Sequence, residues 1–140
     1  MAILKGDNYT KQENPTSDNI VSPGTLGGRK RVLMETVTLA AANIADVVKL
    51  GKDLQDGAKV LGIELLNAAL GAGVTLDVGD DDTGDRYMTA VDGNTASVKR
   101  DLNVLGYEVG QADGDNTILL TIGGAAATGL VTVLITYTED

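Results

Sequence analysis

GLVTVLITYTED, residues 129–140, alternates without a break: Val131, Val133, Ile135 and Tyr137 fall on one side, and Thr132, Leu134, Thr136 and Thr138 on the other. A period of two places successive side chains on opposite faces, which is the pattern of a half-buried strand and not of a helix. The β-branched residues that fill it suit a pleated surface.

The same reading extends upstream. RVLMETVTL (Arg31–Leu39) predicts a strand with Leu33, Val37 and Leu39 on one face. Ala40–Leu54 is expected to be a loop or one helical turn followed by a strand. A turn at Asp56–Gly57 leads into a strand from Ala58 to Leu66, with Leu61, Ile63 and Leu65 sharing a face. The glycines of LGAGVTLDVG make a turn, after which Val74, Leu76 and Val78 oppose Thr75 and Asp77. DRYMTAV sets Tyr87, Thr89 and Val91 against Arg86, Met88 and Ala90. DGNT (Asp92–Thr95) and ADGDN (Ala112–Asn116) are turns, VLGYEVG (Val104–Gly110) and TILLTIGG (Thr117–Gly124) strands. Short strands at this spacing predict an all-β, antiparallel sandwich or barrel. About eight strands suit a jelly-roll sandwich, with an immunoglobulin-like sandwich as the alternative.

Composition agrees and narrows function. The 140 residues hold 18 Gly, no Phe, no Trp and four Tyr, so the core is built from Val, Leu, Ile and Ala. Tyr87, Tyr107 and Tyr137 are expected to join that core as its bulkiest members. Cys and His are absent and Ser occurs at only three positions, 17, 22 and 97. The usual nucleophile–base pairs and the commonest zinc ligand therefore cannot be assembled, and the chain is expected not to be an enzyme and to carry no cofactor. No apolar run approaches the roughly 20 residues of a membrane span, and Met1–Asn14 shows no signal-peptide core.

The formal charge of −9 is unevenly spread. Residues 1–31 carry five basic and three acidic side chains, net +2, and residues 32–140 carry 6 and 17, net −11. The first segment also holds both prolines, Pro15 and Pro23, and lacks periodicity. Residues 1–31 thus read as an extended polar, basic N-terminal arm, and residues 32–140 as the body. The arm is either a loose terminus or a segment that orders on a partner surface. The cluster Arg29, Lys30 and Arg31, with Pro15 and Pro23, is the candidate partner-binding set. Three basic residues beside an acidic body are too few for direct nucleic-acid binding, so the expected partner is a protein.

VGDDDTGDRYM (Val78–Met88) is the one motif suggestive of metal. Neither Gly79 nor Asp80 as its first position satisfies the EF-hand spacing, which needs oxygens at 1, 3 and 5 and Gly at 6. Asp113 and Asp115 fail the same test. A metal is not expected. The minority reading is a looser calcium site on Asp80, Asp82 and Asp85, and the preferred one is a solvated hairpin connection in which Arg86 pairs with Asp82 or Asp85.

Taken together, the polar arm, the block GAKVLGIELLNAALGAGVTLDVGDDDTGDRYMTAV (Gly57–Val91) and the closing ATGLVTVLITYTED (Ala127–Asp140) resemble small virion proteins of tailed bacteriophages, the head decoration or cement proteins with a jelly-roll body. The resemblance implies a structural protein on the outer surface of a capsid, bridging major capsid protein subunits against the pressure of packaged DNA. It also implies a symmetric homo-oligomer, a dimer in preference to a trimer. The alternatives are a calcium- or carbohydrate-binding β-sandwich module and another virion component of tail or fibre.

Overall fold

A computed structural model describes residues 29–50, 54, 56–110 and 117–139. The expected arm through Gly28, with Pro15 and Pro23, and the ADGDN turn lie outside the described residues. Nine strands are present among those described: β1 (Arg29–Ala42), β2 (Val47–Leu50), β3 (Lys59–Asn67), β4 (Thr75–Gly79), β5 (Met88–Asp92), β6 (Ser97–Lys99), β7 (Tyr107–Glu108), β8 (Ile118–Gly123) and β9 (Ala127–Glu139). No helix occurs among them.

The strands form two antiparallel sheets that close on one another as a sandwich. One runs β1-β9-β3-β6, with β7 also on β3, and the other β2-β8-β4-β5. With the two-residue β7 set aside, the orders are first–eighth–third–sixth and second–seventh–fourth–fifth. Each sheet thus interleaves strands from both halves of the chain, as a jelly roll requires. β9 is the spine of its sheet: it pairs with β1 from Arg29↔Glu139 onward and with β3 from Lys59↔Thr138 onward.

The alternation that identifies β9 places Val131, Val133 and Ile135 fully inside. They meet Ile63 and Leu65 of β3 across the ladder. Leu76, Val78, Ile118, Leu120 and Ile122 form the facing layer. Tyr87 is the largest fully buried side chain. Tyr107 and Tyr137 pack half-buried against the same core.

Three expectations are corrected by bulges. β3 shifts register between Val60 and Gly62, so Val60 takes the inner face and Leu61 turns to solvent instead of joining Ile63 and Leu65. Near β5, Tyr87 and Met88 are both buried, and Val91 returns to the core after an exposed Thr89 and Ala90. The cause is a register shift opposite Leu76–Val78, with Ala90 in the left-handed region at φ 49°. β1 continues to Ala42, past the point where a loop is expected, through a third irregularity at Ala41 (φ 51°). In addition, Val104–Gly110 shrinks to the two residues of β7, and Ser97–Lys99 adds a strand that the sequence pattern did not reveal.

Candidate interaction surface

The aspartate loop links β4 to the residues just before β5. Gly79 opens it because a side chain there would collide with the Thr83 carbonyl and the Gly84 backbone. The turn is closed by Asp80 N–H to the Thr83 carbonyl (2.9 Å) and Arg86 N–H to the same oxygen (3.2 Å). Asp80 Oδ1 accepts the backbone N–H groups of Asp82 (3.1 Å) and Thr83 (2.8 Å), the local bonding that favours Asp in turns.

Arg86 then ties the loop down. Its Nε donates to Asp80 Oδ2, and its Nη2 to Asp82 Oδ2 (3.0 Å) and Thr83 Oγ1 (3.2 Å). Its guanidinium carbon lies 4.2 Å from the centre of the Tyr107 ring, which meets Tyr87 edge-on at 6.1 Å. Hydrogen bonding to Asp80 is the main reason the guanidinium holds its proton more firmly than usual. Burial, helped by the Asp80 charge, raises the neighbouring Tyr87 hydroxyl well above the ordinary tyrosine value.

The loop connects two paired strands with Asp81, Asp82 and Asp85 exposed, and Arg86 meets Asp82, as expected. The correction is Asp80, which is buried and takes Arg86 Nε, while Asp85 does not meet Arg86. Asp85 turns the other way and accepts the Thr89 hydroxyl (3.3 Å), while Asn103 Nδ2 bonds the Asp85 carbonyl (3.0 Å) and Thr89 Oγ1 (2.8 Å). The three carboxylates singled out for calcium therefore do not converge. Among the described residues no group of three His, Cys, Asp or Glu is placed to hold a metal ion.

Arg29, Lys30 and Arg31 stand on β1, opposite the end of β9, and all three are exposed. Arg31 pairs with Glu139. The residues that follow supply a surface the sequence reading did not single out. On the outer face of the β1-β9-β3-β6 sheet, Val32 and Met34 of β1, Leu130 of β9, Leu66 of β3 and Val98 of β6 are exposed apolar side chains. The ladder pairs Met34 with Leu134 and Leu66 with Val98. Singly, exposed apolar residues are ordinary; the signal is that five share one sheet face, which the sequence shows only once the strand pairing is known.

The architecture matches known structures. A chain of the cyanophage Pam1 capsid asymmetric unit aligns with a TM-score of 0.68 and 26% identity, over 82% of this chain and 88% of that one. A chain of the capsid of Ralstonia phage GP4 aligns at 0.59 and 19% identity, over 81% and 86%. One from the acid-stable capsid of Helicobacter pylori bacteriophage KHP30 aligns at 0.53 and 18%, over 79% and 87%. The structural neighbours are phage capsid components. No protein-family model matches the chain, and no curated protein matches it. At their identities the GP4 and KHP30 chains speak to the fold alone.

Proposed function

We propose that the chain is a structural virion protein that decorates the outer surface of a phage head and cements it by bridging major capsid protein subunits. The likeness to a chain of the Pam1 capsid, over most of both chains and at 26% identity, carries this reading. Charge supports the outer side. A body of net −11 facing packaged DNA would be repelled by its phosphates, whereas facing outward it keeps the particle soluble. The exposed basic start of β1 supports contact with a protein neighbour, and the apolar outer face of the same sheet supplies area for it. Calcium binding loses support, because Asp80 and Asp82 are already bonded to Arg86.

The test is direct. Undecorated heads are mixed with the full chain or with residues 29–140, which keep β1 whole. Bound protein is then imaged on the particle. The full chain should occupy regular sites on the outside, and the truncated chain should fold yet bind at least tenfold more weakly. Density inside the shell or on the tail would sink the proposal. Equal binding by the truncated chain would remove residues 1–28 from it.

A further inference from the structure

The sheet edges of this sandwich are not alike. β6 offers three residues, β2 four, and β5 five with the bulge at Ala90. Short or bulged edges are the usual protection against pairing with another chain. β1 is fourteen residues long, and its one bulge, at Ala41, leaves the stretch from Arg29 to Leu39 laddered to β9 without irregularity. Among the described residues nothing pairs with its other side, and beyond Arg31 its only charge is Glu35. Such a row of unpaired backbone groups is a template for one more strand.

The sequence of the edge selects the occupant. We propose that a second copy of this chain pairs there, β1 against β1, antiparallel about a twofold axis at Leu33, so that two sheets become one. In this register Arg31 lies opposite the partner's Glu35, and Val32 opposite the partner's Met34, each pair occurring twice by symmetry. Val32 and Met34 are 58% and 66% exposed, and they would cover one another on the outer face. Glu35 has no partner among the described residues. Arg31 already bonds Glu139, but a guanidinium has donors for both carboxylates. Neighbouring registers fit worse. An axis at Val32 pairs Arg29 with the partner's Glu35 but sets Lys30 against the partner's Met34 and Arg31 against the partner's Leu33, and an axis at Met34 sets Arg31 against the partner's Val37 and Glu35 against the partner's Leu33. With Leu33 on the axis Glu35 is paired and Val32 meets the partner's Met34, and Arg29 alone, opposite the partner's Val37, sets a charge against an apolar residue. The inference names the contact for the self-association expected of a capsid protein. It is tested on free protein, so failure of shell binding does not bear on it.

The chain has no cysteine, so single-cysteine variants report cleanly. Copies of Leu33 on the axis would lie within disulfide reach, since facing Cα atoms in an antiparallel pair are about 4.5–5.5 Å apart. Leu33→Cys should oxidise to a covalent dimer, while Thr36→Cys, displaced from its own copy along the strand, should not. By sedimentation the full chain should be a dimer. Glu35→Arg, which faces the partner's Arg31, should weaken that dimer roughly tenfold or more, and adding Arg31→Glu should restore it. Each of four results overturns the proposal: a monomer, a trimer, a dimer indifferent to Glu35→Arg, or Thr36→Cys cross-linking as fast as Leu33→Cys. A monomer would leave the edge for a strand of a different protein.

Discussion

Arg86 brings one positive charge into a loop with four aspartates, and its bonds sort them. Asp80 is buried and needs the guanidinium, because an uncompensated carboxylate inside a protein is costly. Asp82 is half exposed and gains little from the same contact. Arg86→Ala should therefore lower stability by about 2–3 kcal/mol, through the stranded Asp80 and the lost contact with Tyr107. Asp82→Ala should change it by about 0.5 kcal/mol or less. Urea melts of both variants check the contrast, and equal effects would mean the loop is held some other way. Tyr87 adds a pH dependence. Its folded value is raised above the ordinary 10 by burial and by the Asp80 charge, so the folded chain keeps a proton that the unfolded chain releases. The sign is fixed: this contribution is whole below pH 10 and is lost as pH climbs above it, at up to about 1.4 kcal/mol per pH unit. Tyr87→Phe should lose stability less steeply over that range in parallel alkaline melts.

At the scale of the element, bulges decide what a strand's sequence means. Ala90 sits at φ 49° and donates its N–H to Asp77 Oδ1. Strand propensity alone would favour a β-branched residue here. The bulge reverses this, because a β-branched side chain is strained in the left-handed region. Ala90→Val should destabilise by about 1–2 kcal/mol, read as a lower urea midpoint at unchanged slope, and a gain would show that the bulge is not held in solution. The same devices explain what the sequence disclosed. Although Thr138, expected on the outer side, is buried, β9 was legible from Val131 to Ile135, because these residues lie on a spine without a shift. The face of Leu61 was not, since a period of two cannot register the extra residue at Val60–Gly62. β6 escaped notice because Ser97–Lys99 is held by its partner more than by its own pattern. Asn67 receives the Ser97 hydroxyl and donates to the Thr95 carbonyl, pinning the strand from the far side. The loop's aspartates were legible as a turn, and Arg86–Asp82 as one of two candidate pairs, but the Arg86–Asp80 contact was not. Which carboxylate meets Arg86 depends on the close approach at Gly79, which only the folded backbone reveals.

At the scale of the whole molecule, charge and shape suggest how such a protein would strengthen a shell. A ligand that binds the assembled lattice and not its free subunits stabilises the lattice by mass action, by about 2.7 kcal/mol per site at a hundred times its dissociation constant. Bridging two subunits from a symmetric dimer multiplies weak contacts, since the second engagement is intramolecular. The basic start of β1 would speed the encounter and make it sensitive to salt, because exposed charges are screened beyond about 8 Å at physiological ionic strength. DNA-filled heads lacking this protein should therefore release DNA at a lower temperature. Adding the full chain should raise the release temperature with concentration until the sites saturate, and the midpoint of that titration should move to higher protein concentration as salt increases. Residues 29–140, which keep the basic start of β1 and the apolar outer face but lose residues 1–28, should raise the release temperature less than the full chain does at equal concentration. A release temperature indifferent to added full chain would separate fold from role: the sandwich would stand, and cementing would not be what it does.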